Sequence, residues 1–358
     1  MADTGLVFEV DRSDWKQTRF VEGPVPALAP RQVLFRVDRF ALTANNITYA
    51  VAGDGLGYWR FFPCAEGWGR IPVMGFANVI RSTHPEVKEG TRCFGFYPMG
   101  RHLVIQPGAV SASQIVDAAP HRAGLAAPYA QYLPTTGDAV YAEEREDQIL
   151  LMRGLFMTSF LADDFLAEQG YCGARSVLIT SASSKTGIAL AFQVKQGGRA
   201  RAVGLTSAKN AAFVRGLGCY DEVVLYDQVA SLAKQPAVLV DMAGDGAVNG
   251  AVHRHFEGEL KYDCRIGATH WSAERTDEAL PGPKPEFFFA PAQIVKRTKE
   301  WGPQGLSQRI AAAWTKFCDA SDAWLHVVRS SGRDGLERVY QEMLAGRTDP
   351  ADGQILSL

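Results

Sequence analysis

The sequence predicts an α/β protein in which a doubly wound parallel sheet is joined to a separate β-rich domain. Three observations carry this. From about residue 171 onward, short apolar runs alternate with helical segments, the mark of βαβ crossovers. Up to about residue 107 the apolar runs are broken by Gly and Pro, with little helical period. The 358 residues suffice for two domains of ordinary size.

Taken in order, "QVLFRVDRFALT" (32–43), "IPVMGFANVIRS" (71–82) and "TRCFGFYPMGRHLVIQP" (91–107) read as strands and turns of the first domain. "DQILLMRGLFMTSFLADDFLAEQG" (147–170) carries apolar residues at mixed three- and four-residue spacing and no proline, so it predicts a helix ending near Gly170. "SVLIT", "RAVGLT", "EVVLYD" and "AVLVDMAG" then read as strands, separated by helices in "KTGIALAFQVKQ" and "SAKNAAFVRGL" and followed by one in "GAVNGAVHRHF". "YDCRIGATHW" reads as a further strand, 306–318 and 333–344 as amphipathic helices, and the tail "GQILSL" as a returning strand. The expected division is a β-rich domain over 1–125, completed by about 290–358, and a nucleotide-type domain over 126–289.

Composition narrows the function. The formal net charge is -2 and no Lys/Arg block occurs, so nucleic acid is not an expected partner. The longest apolar stretches fall short of the roughly 20 residues of a membrane helix, and the N-terminus lacks a secretory pattern. The six cysteines are far apart and form no CxxC pair, which points to free thiols in a cytoplasmic protein. No GxSxG or HExxH occurs, and His253 and His255 are too close in sequence to share a helix face, so no metal is expected.

The stretch "VLITSASSKTG" sets a strand against a helix through a turn. A helix N-terminus offers unpaired N–H groups and the positive dipole end to a pyrophosphate. Glycine normally lets the phosphates approach. Here Ser181, Ser183, Ser184, Lys185 and Thr186 precede a single Gly187. Gly187 suits the helix–strand contact, while serine supplies a cap and hydroxyl donors. A phosphate loop of the GxxxxGK[ST] kind is excluded, because Lys185-Thr186 follows serine and no glycine stands five residues earlier. A serine-capped turn that binds nothing is the bland alternative. The next strand ends in Thr206 and Ser207, with Lys209 following and Tyr226 ending the strand after it. With no acid at that ribose position, NADP(H) is expected over NAD.

In this layout the chain resembles the medium-chain dehydrogenase/reductase superfamily, on its zinc-free quinone oxidoreductase and enone reductase side. "QVLFRVDRFALTANNITYAVAG" is similar to that family's opening strand and substrate loop, and "IPVMGFANVIRSTHPEVKEGTRCFGF" to its "PGHE…GVV…VGDRVFG" stretch. "LLMRGLFMTSFLADDFL" resembles the helix before its cofactor fold, the segment from Val177 to Asp227 its Rossmann core, and "VLVDMAGDGAVNG" its "DNVGG" segment. Gly75-Phe76-Ala77 replaces the histidine and glutamate of zinc-dependent members, and the four-cysteine zinc lobe is absent. The resemblance implies a Rossmann-type sheet with a GroES-like, partly open barrel, and a homodimer. It implies hydride transfer from NADPH to an activated C=C or a carbonyl of a small apolar substrate. A non-catalytic NADPH-binding protein, or a lyase or isomerase reusing the pocket, are the alternatives.

In such a protein the cofactor does the hard step and the chain supplies donors and an apolar slot. By the resemblance, Asn46 is a candidate for the nicotinamide ribose or substrate oxygen, and Tyr49 for donation to an enolate oxygen. Tyr58, Trp59, Phe61 and Phe62 read equally as slot lining or core. Thr269 and His270, after a parallel strand, are candidates for the nicotinamide carboxamide and for carbonyl polarisation. Lys296 and Arg297 are within sequence reach of an anion.

Overall fold

The computed structural model describes residues 4–266 and 280–358. The chain divides into two compact units, Met1–Leu151 with Leu325–Leu358, and Met152–Trp324.

The first unit is β-rich. Its strands are β1 (Thr4–Asp11), β2 (Thr18–Pro24), β3 (Val33–Leu42), β4 (Trp68–Gly69), β5 (Pro72–Ser82), β6 (Arg92–Pro98), β7 (His102–Ile105), β8 (Pro107–Val110), β9 (Ile115–Asp117) and β10 (Gln131–Pro134). A short helix α1 (Ala44–Val51) follows β3. The strand β3 alternates apolar and charged residues at Val37-Asp38 and buries its flanks completely, because it lies in mid-sheet between β5 and the C-terminal strand. Pairings in this sheet are antiparallel from β3 through β5, β6, β10, β9 to β8.

Helix α2 (Glu146–Glu168) opens with two acids, the sign its positive N-terminal dipole favours. The buried Glu146 accepts from Arg92 Nε at 2.7 Å and from the Tyr141 hydroxyl at 3.0 Å, and it also pairs with Arg39. These are all contacts within the first unit. They anchor the helix start to β3 and β6.

The second unit contains β11 (Ser176–Ile179), β12 (Arg201–Thr206), β13 (Glu222–Leu225), β14 (Ala237–Asp241), β15 (Leu260–Arg265) and β16 (Glu286–Phe287). They form one sheet in the order β13-β12-β11-β14-β15-β16, and every pair in it is parallel. This is the doubly wound order, with the reversal between β11 and β14. "SVLI" and "AVLVD" are continuous rather than alternating runs because both faces of the sheet are covered, and every residue of both is buried. Helices α3 (Lys185–Gly197), α4 (Ala211–Gly216) and α5 (Gly246–Phe256) provide the crossovers. Gly198 ends α3 in the left-handed conformation (φ 63°) that glycine adopts without penalty.

Helix α6 (Ala290–Ser321) is longer than the sequence suggests. It begins directly after β16 and passes through a break at Gly302-Pro303, where Gly302 takes φ 72°. The apolar period is legible only beyond that break, in Leu306, Ile310, Trp314 and Phe317. In the first unit the chain ends with β17 (His326–Ser331), α7 (Gly332–Leu344) and β18 (Asp352–Ser357). Strand β18 pairs with β17 in parallel and with β3 in antiparallel, so the tail does return as a strand.

Candidate functional site

Strand β11 delivers the chain to a turn at the carboxyl edge of the sheet, beside the point where the strand order reverses. Ligands of open α/β sheets bind in the crevice outside that edge. Ser181 occupies the turn with φ 49°, a left-handed conformation that costs a non-glycine residue about 1 kcal/mol. Side chains from neighbouring elements hold it there. The Ser181 N–H donates to the Tyr226 hydroxyl at 3.0 Å, and the Tyr220 hydroxyl donates to the Ala182 carbonyl at 2.8 Å. The Asn210 amide donates to Ser183 Oγ at 2.9 Å. The backbone adds Ala182 N–H to Leu205 O at 3.1 Å and Ser184 N–H to Ser181 O at 2.8 Å.

Ser184 is the N-cap of α3, and its Oγ accepts from the Gly187 N–H at 3.0 Å. That hydroxyl oxygen therefore serves the helix. A Cβ on Gly187 would lie 2.9 Å from the Ser181 carbonyl oxygen and 3.1 Å from Ser184 Oγ. Only glycine lets the helix approach the turn this closely. Lys185 and Thr186 form the first turn of α3, and both are half-buried. The Thr186 N–H is among those that no carbonyl within the helix can reach, while its carbonyl accepts from Ser159 at 2.8 Å.

Across the reversal point, Asp241 ends β14. It is buried, and it accepts from Thr180 Oγ1 at 2.8 Å, Asn249 Nδ2 at 2.7 Å and the N–H of Ala243 and Gly244 at 3.0 Å each. This network holds the ends of β11 and β14 side by side at the carboxyl edge of the sheet. Asp241, Asn249, Asn210 and Tyr220 are absent from the sequence-based candidates. For Asp241 and Asn210 the signal is a polar residue at or just beyond a strand end, which many solvated loops share; Asn249, inside α5, and Tyr220, before β13, carry no local signal.

On the far side, β12 ends in the buried Thr206, followed by the half-buried Ser207 and a 3-10 turn, Ala208–Asn210, on which Lys209 is exposed. No carboxylate occurs from 206 to 210. Burial pushes the Tyr226 hydroxyl up to about 12, against the opposing pull of the Ser181 N–H, so it stays neutral as a hydrogen-bonding group.

The first unit's candidates are held by their own surroundings. Asn46 Oδ1 accepts from the Thr43 N–H at 2.7 Å, and its Nδ2 donates to the Pro72 carbonyl at 2.9 Å. It is the return half of the capping box of α1. Tyr49 is buried, with its ring 4.5 Å from Tyr58 and 6.1 Å from Phe96, and burial holds its hydroxyl well above the usual range. Tyr58, Trp59, Phe61 and Phe62 are all buried, and the Tyr58 and Tyr129 hydroxyls meet at 3.1 Å. The reading of these rings as core is the one the structure takes.

Phe76 is packed in β5 against Phe94 and Tyr141. Among the described residues no group of three or more His, Cys, Asp or Glu is placed to hold a metal. In the second unit Lys296 donates to Glu168 at 2.6 Å and Arg297 to Asp164 at 2.6 Å, so both cations are committed to ion pairs between α6 and α2. Thr269 and His270 lie outside the described residues.

Residues 40–349 match the family described as protein of unknown function DUF2855. The chain belongs to that family. No curated protein matches it in sequence. Solved structures share its fold over nearly the whole length. CurA from Vibrio vulnificus in complex with NADPH matches at 13% identity and a TM-score of 0.61, over 99% of this chain and 98% of that one. A candidate NADPH:quinone reductase from Mesorhizobium loti matches at 13% and 0.65, over 99% of each. The yhdH oxidoreductase from Salmonella enterica in complex with NADP matches at 15% and 0.55, over 99% and 100%. The chain shares the fold of these structures, with a parallel α/β sheet in one unit and a β-rich second unit, in line with the sequence resemblance.

Proposed function

We propose that the chain is an NADP(H)-dependent oxidoreductase of the zinc-free reductase kind. The observation that carries the reading is the turn at the carboxyl end of β11. A left-handed residue, a capped helix start and the glycine-only approach at Gly187 coincide there, at the reversal point of a 3-2-1-4-5-6 parallel sheet. The same fold carries NADPH in CurA and NADP in the yhdH oxidoreductase.

The residues fit the group. The first turn of α3, with Lys185 and Thr186, would face the pyrophosphate. Lys209, with Thr206 and Ser207 and no acid beside them, would take the 2′-phosphate. Ser181 and Ser183 would shape the turn, and Tyr226 would stand at the adenosine side. When bound, the nicotinamide supplies a hydride to an electrophilic carbon. We assign Tyr49 to donation toward the oxygen that gains charge, and Asn46 to fixing the helix that carries Tyr49. Thr269 and His270 remain candidates for the carboxamide and carbonyl. The substrate class we infer is a small apolar enone, quinone or aldehyde. Phe76, in place of the zinc ligands of related enzymes, supports a zinc-independent reaction.

A second reading, an NADPH-binding protein without chemistry, draws on the commitment of Asn46 to its own helix cap. Two measurements separate them. Titration with NADPH and NADH, followed by fluorescence, is expected to show NADPH binding; no binding of either sinks the proposal. Oxidation of NADPH across a panel of enones, quinones and aldehydes then supports the enzyme. Binding without turnover favours the second reading.

A further inference from the structure

A side-chain bond joins the two loops that the proposed cofactor would touch. Asn210 closes the 3-10 turn that carries Lys209, its N–H donating to the Ser207 carbonyl at 3.1 Å. Its side-chain amide then crosses to the β11 turn and donates to Ser183 Oγ at 2.9 Å. Ser183 is 9% exposed, so this bond lies largely out of water, where a hydrogen bond holds its geometry best.

The loop needs such a tether. Ser207 starts the 3-10 turn with no side-chain cap bond, and helix α4 behind it has only six residues, Ala211–Gly216. Lys209 is exposed, and a long lysine side chain has many rotamers, so an ion contact made by it is worth little unless its backbone is placed. The β11 turn, by contrast, is held from several sides by Tyr220, Tyr226 and the backbone of β12. The rigid turn therefore serves as the reference against which Asn210 positions the Lys209 loop.

We propose that Asn210 is a specificity-setting positioning residue: by bonding Ser183, it places the Ser207–Lys209 loop for the 2′-phosphate and so sets the preference for NADPH over NADH. This rests on the cofactor reading above. Asn210 acts through Lys209 and needs no contact of its own with the cofactor. NADH, which lacks the 2′-phosphate, does not draw on the loop.

The test is a set of dissociation constants for NADPH and NADH, measured on the full chain and on Asn210→Ala, Asn210→Ser, Ser183→Ala and the Ser183→Ala/Asn210→Ala double variant. Asn210→Ser keeps a polar residue at the start of α4 but is too short to span to Ser183, so it stands in if the alanine variant folds poorly. NADPH binding is expected to weaken about fivefold in each single variant, within the range of one lost hydrogen bond. In the two Asn210 variants NADH binding should change less than about twofold, and the double variant should bind NADPH no worse than either single one. An equal loss for both cofactors in the Asn210 variants, an additive double variant, or unchanged NADPH binding overturns the inference while leaving the cofactor reading intact. If the unaltered chain binds neither nucleotide, the cofactor reading falls and this inference with it.

Discussion

At the scale of single residues, the β11 turn shows how serine performs a task usually given to glycine. Ser181 takes a left-handed φ of 49°, and its N–H is satisfied by Tyr226 at 3.0 Å. Tyr226→Phe removes that acceptor and is expected to lower stability by about 1 kcal/mol, read as a shift in the denaturation midpoint. Gly187 is less forgiving. In Gly187→Ala the new Cβ meets a backbone oxygen at 2.9 Å, which cannot swing aside. A loss of about 1–3 kcal/mol and weakened NADPH binding are expected, measured by urea unfolding and fluorescence titration. Lys209→Ala should weaken NADPH about tenfold and leave NADH nearly unchanged; an equal effect on both would remove the case for 2′-phosphate recognition.

At the scale of elements, what sequence revealed depended on period and punctuation. The strands "SVLI" and "AVLVD" were legible because a parallel strand covered on both faces must be continuously apolar. The turn was legible because a strand, a cap residue and a helix stood in order, with Ser184 as the cap. Helix α6 was half legible, since its first half carries exposed residues such as Val295 and a Gly302-Pro303 break that together erase the period. The tethers Tyr220, Tyr226 and Asn210 could not be read as tethers. Each acts across 27 to 45 positions of sequence, and no local pattern encodes such a bond. The same holds for Lys296 and Arg297, whose charge invited an anionic ligand but whose partners are Glu168 and Asp164 of another helix.

At the scale of the whole molecule, each unit carries a buried ionic pair with its own pH signature. In the first unit, burial pushes the Glu146 carboxyl up, but Arg92, Tyr141 and Arg39 outweigh it and hold it below the usual range. A depressed carboxyl stabilises above its unfolded value and loses that contribution as pH falls through the folded one. In the second unit, His253 and Asp263 are wholly buried and meet at 2.8 Å, while the other ring nitrogen meets the Pro281 carbonyl at 2.8 Å. Burial pulls the imidazole down, yet these two acceptors outweigh it and raise it above 6.5. Its contribution is complete below pH 6.5 and is lost as pH rises through the raised value. Unfolding followed against pH should thus show the first unit failing on the acid side. The second unit should weaken on the alkaline side. His253→Ala should remove that alkaline slope and cost about 3 kcal/mol, because Asp263 is left buried and alone. A slope that survives the substitution would place its source elsewhere.

The sequence alone determined the class of fold, the alternation of strands and helices from β11 to β15, the place of the serine-rich turn after β11 and the lack of an acid just beyond β12. These follow from local rules: apolar period, capping chemistry and the residue types that a strand end presents. Only the tertiary structure decided the sheet order β13-β12-β11-β14-β15-β16, the burial of the aromatic cluster around Tyr58, and which polar side chains hold the turn. Those depend on pairings between distant segments, and their energy comes from burial and satisfied hydrogen bonds that exist only once the chain has closed on itself.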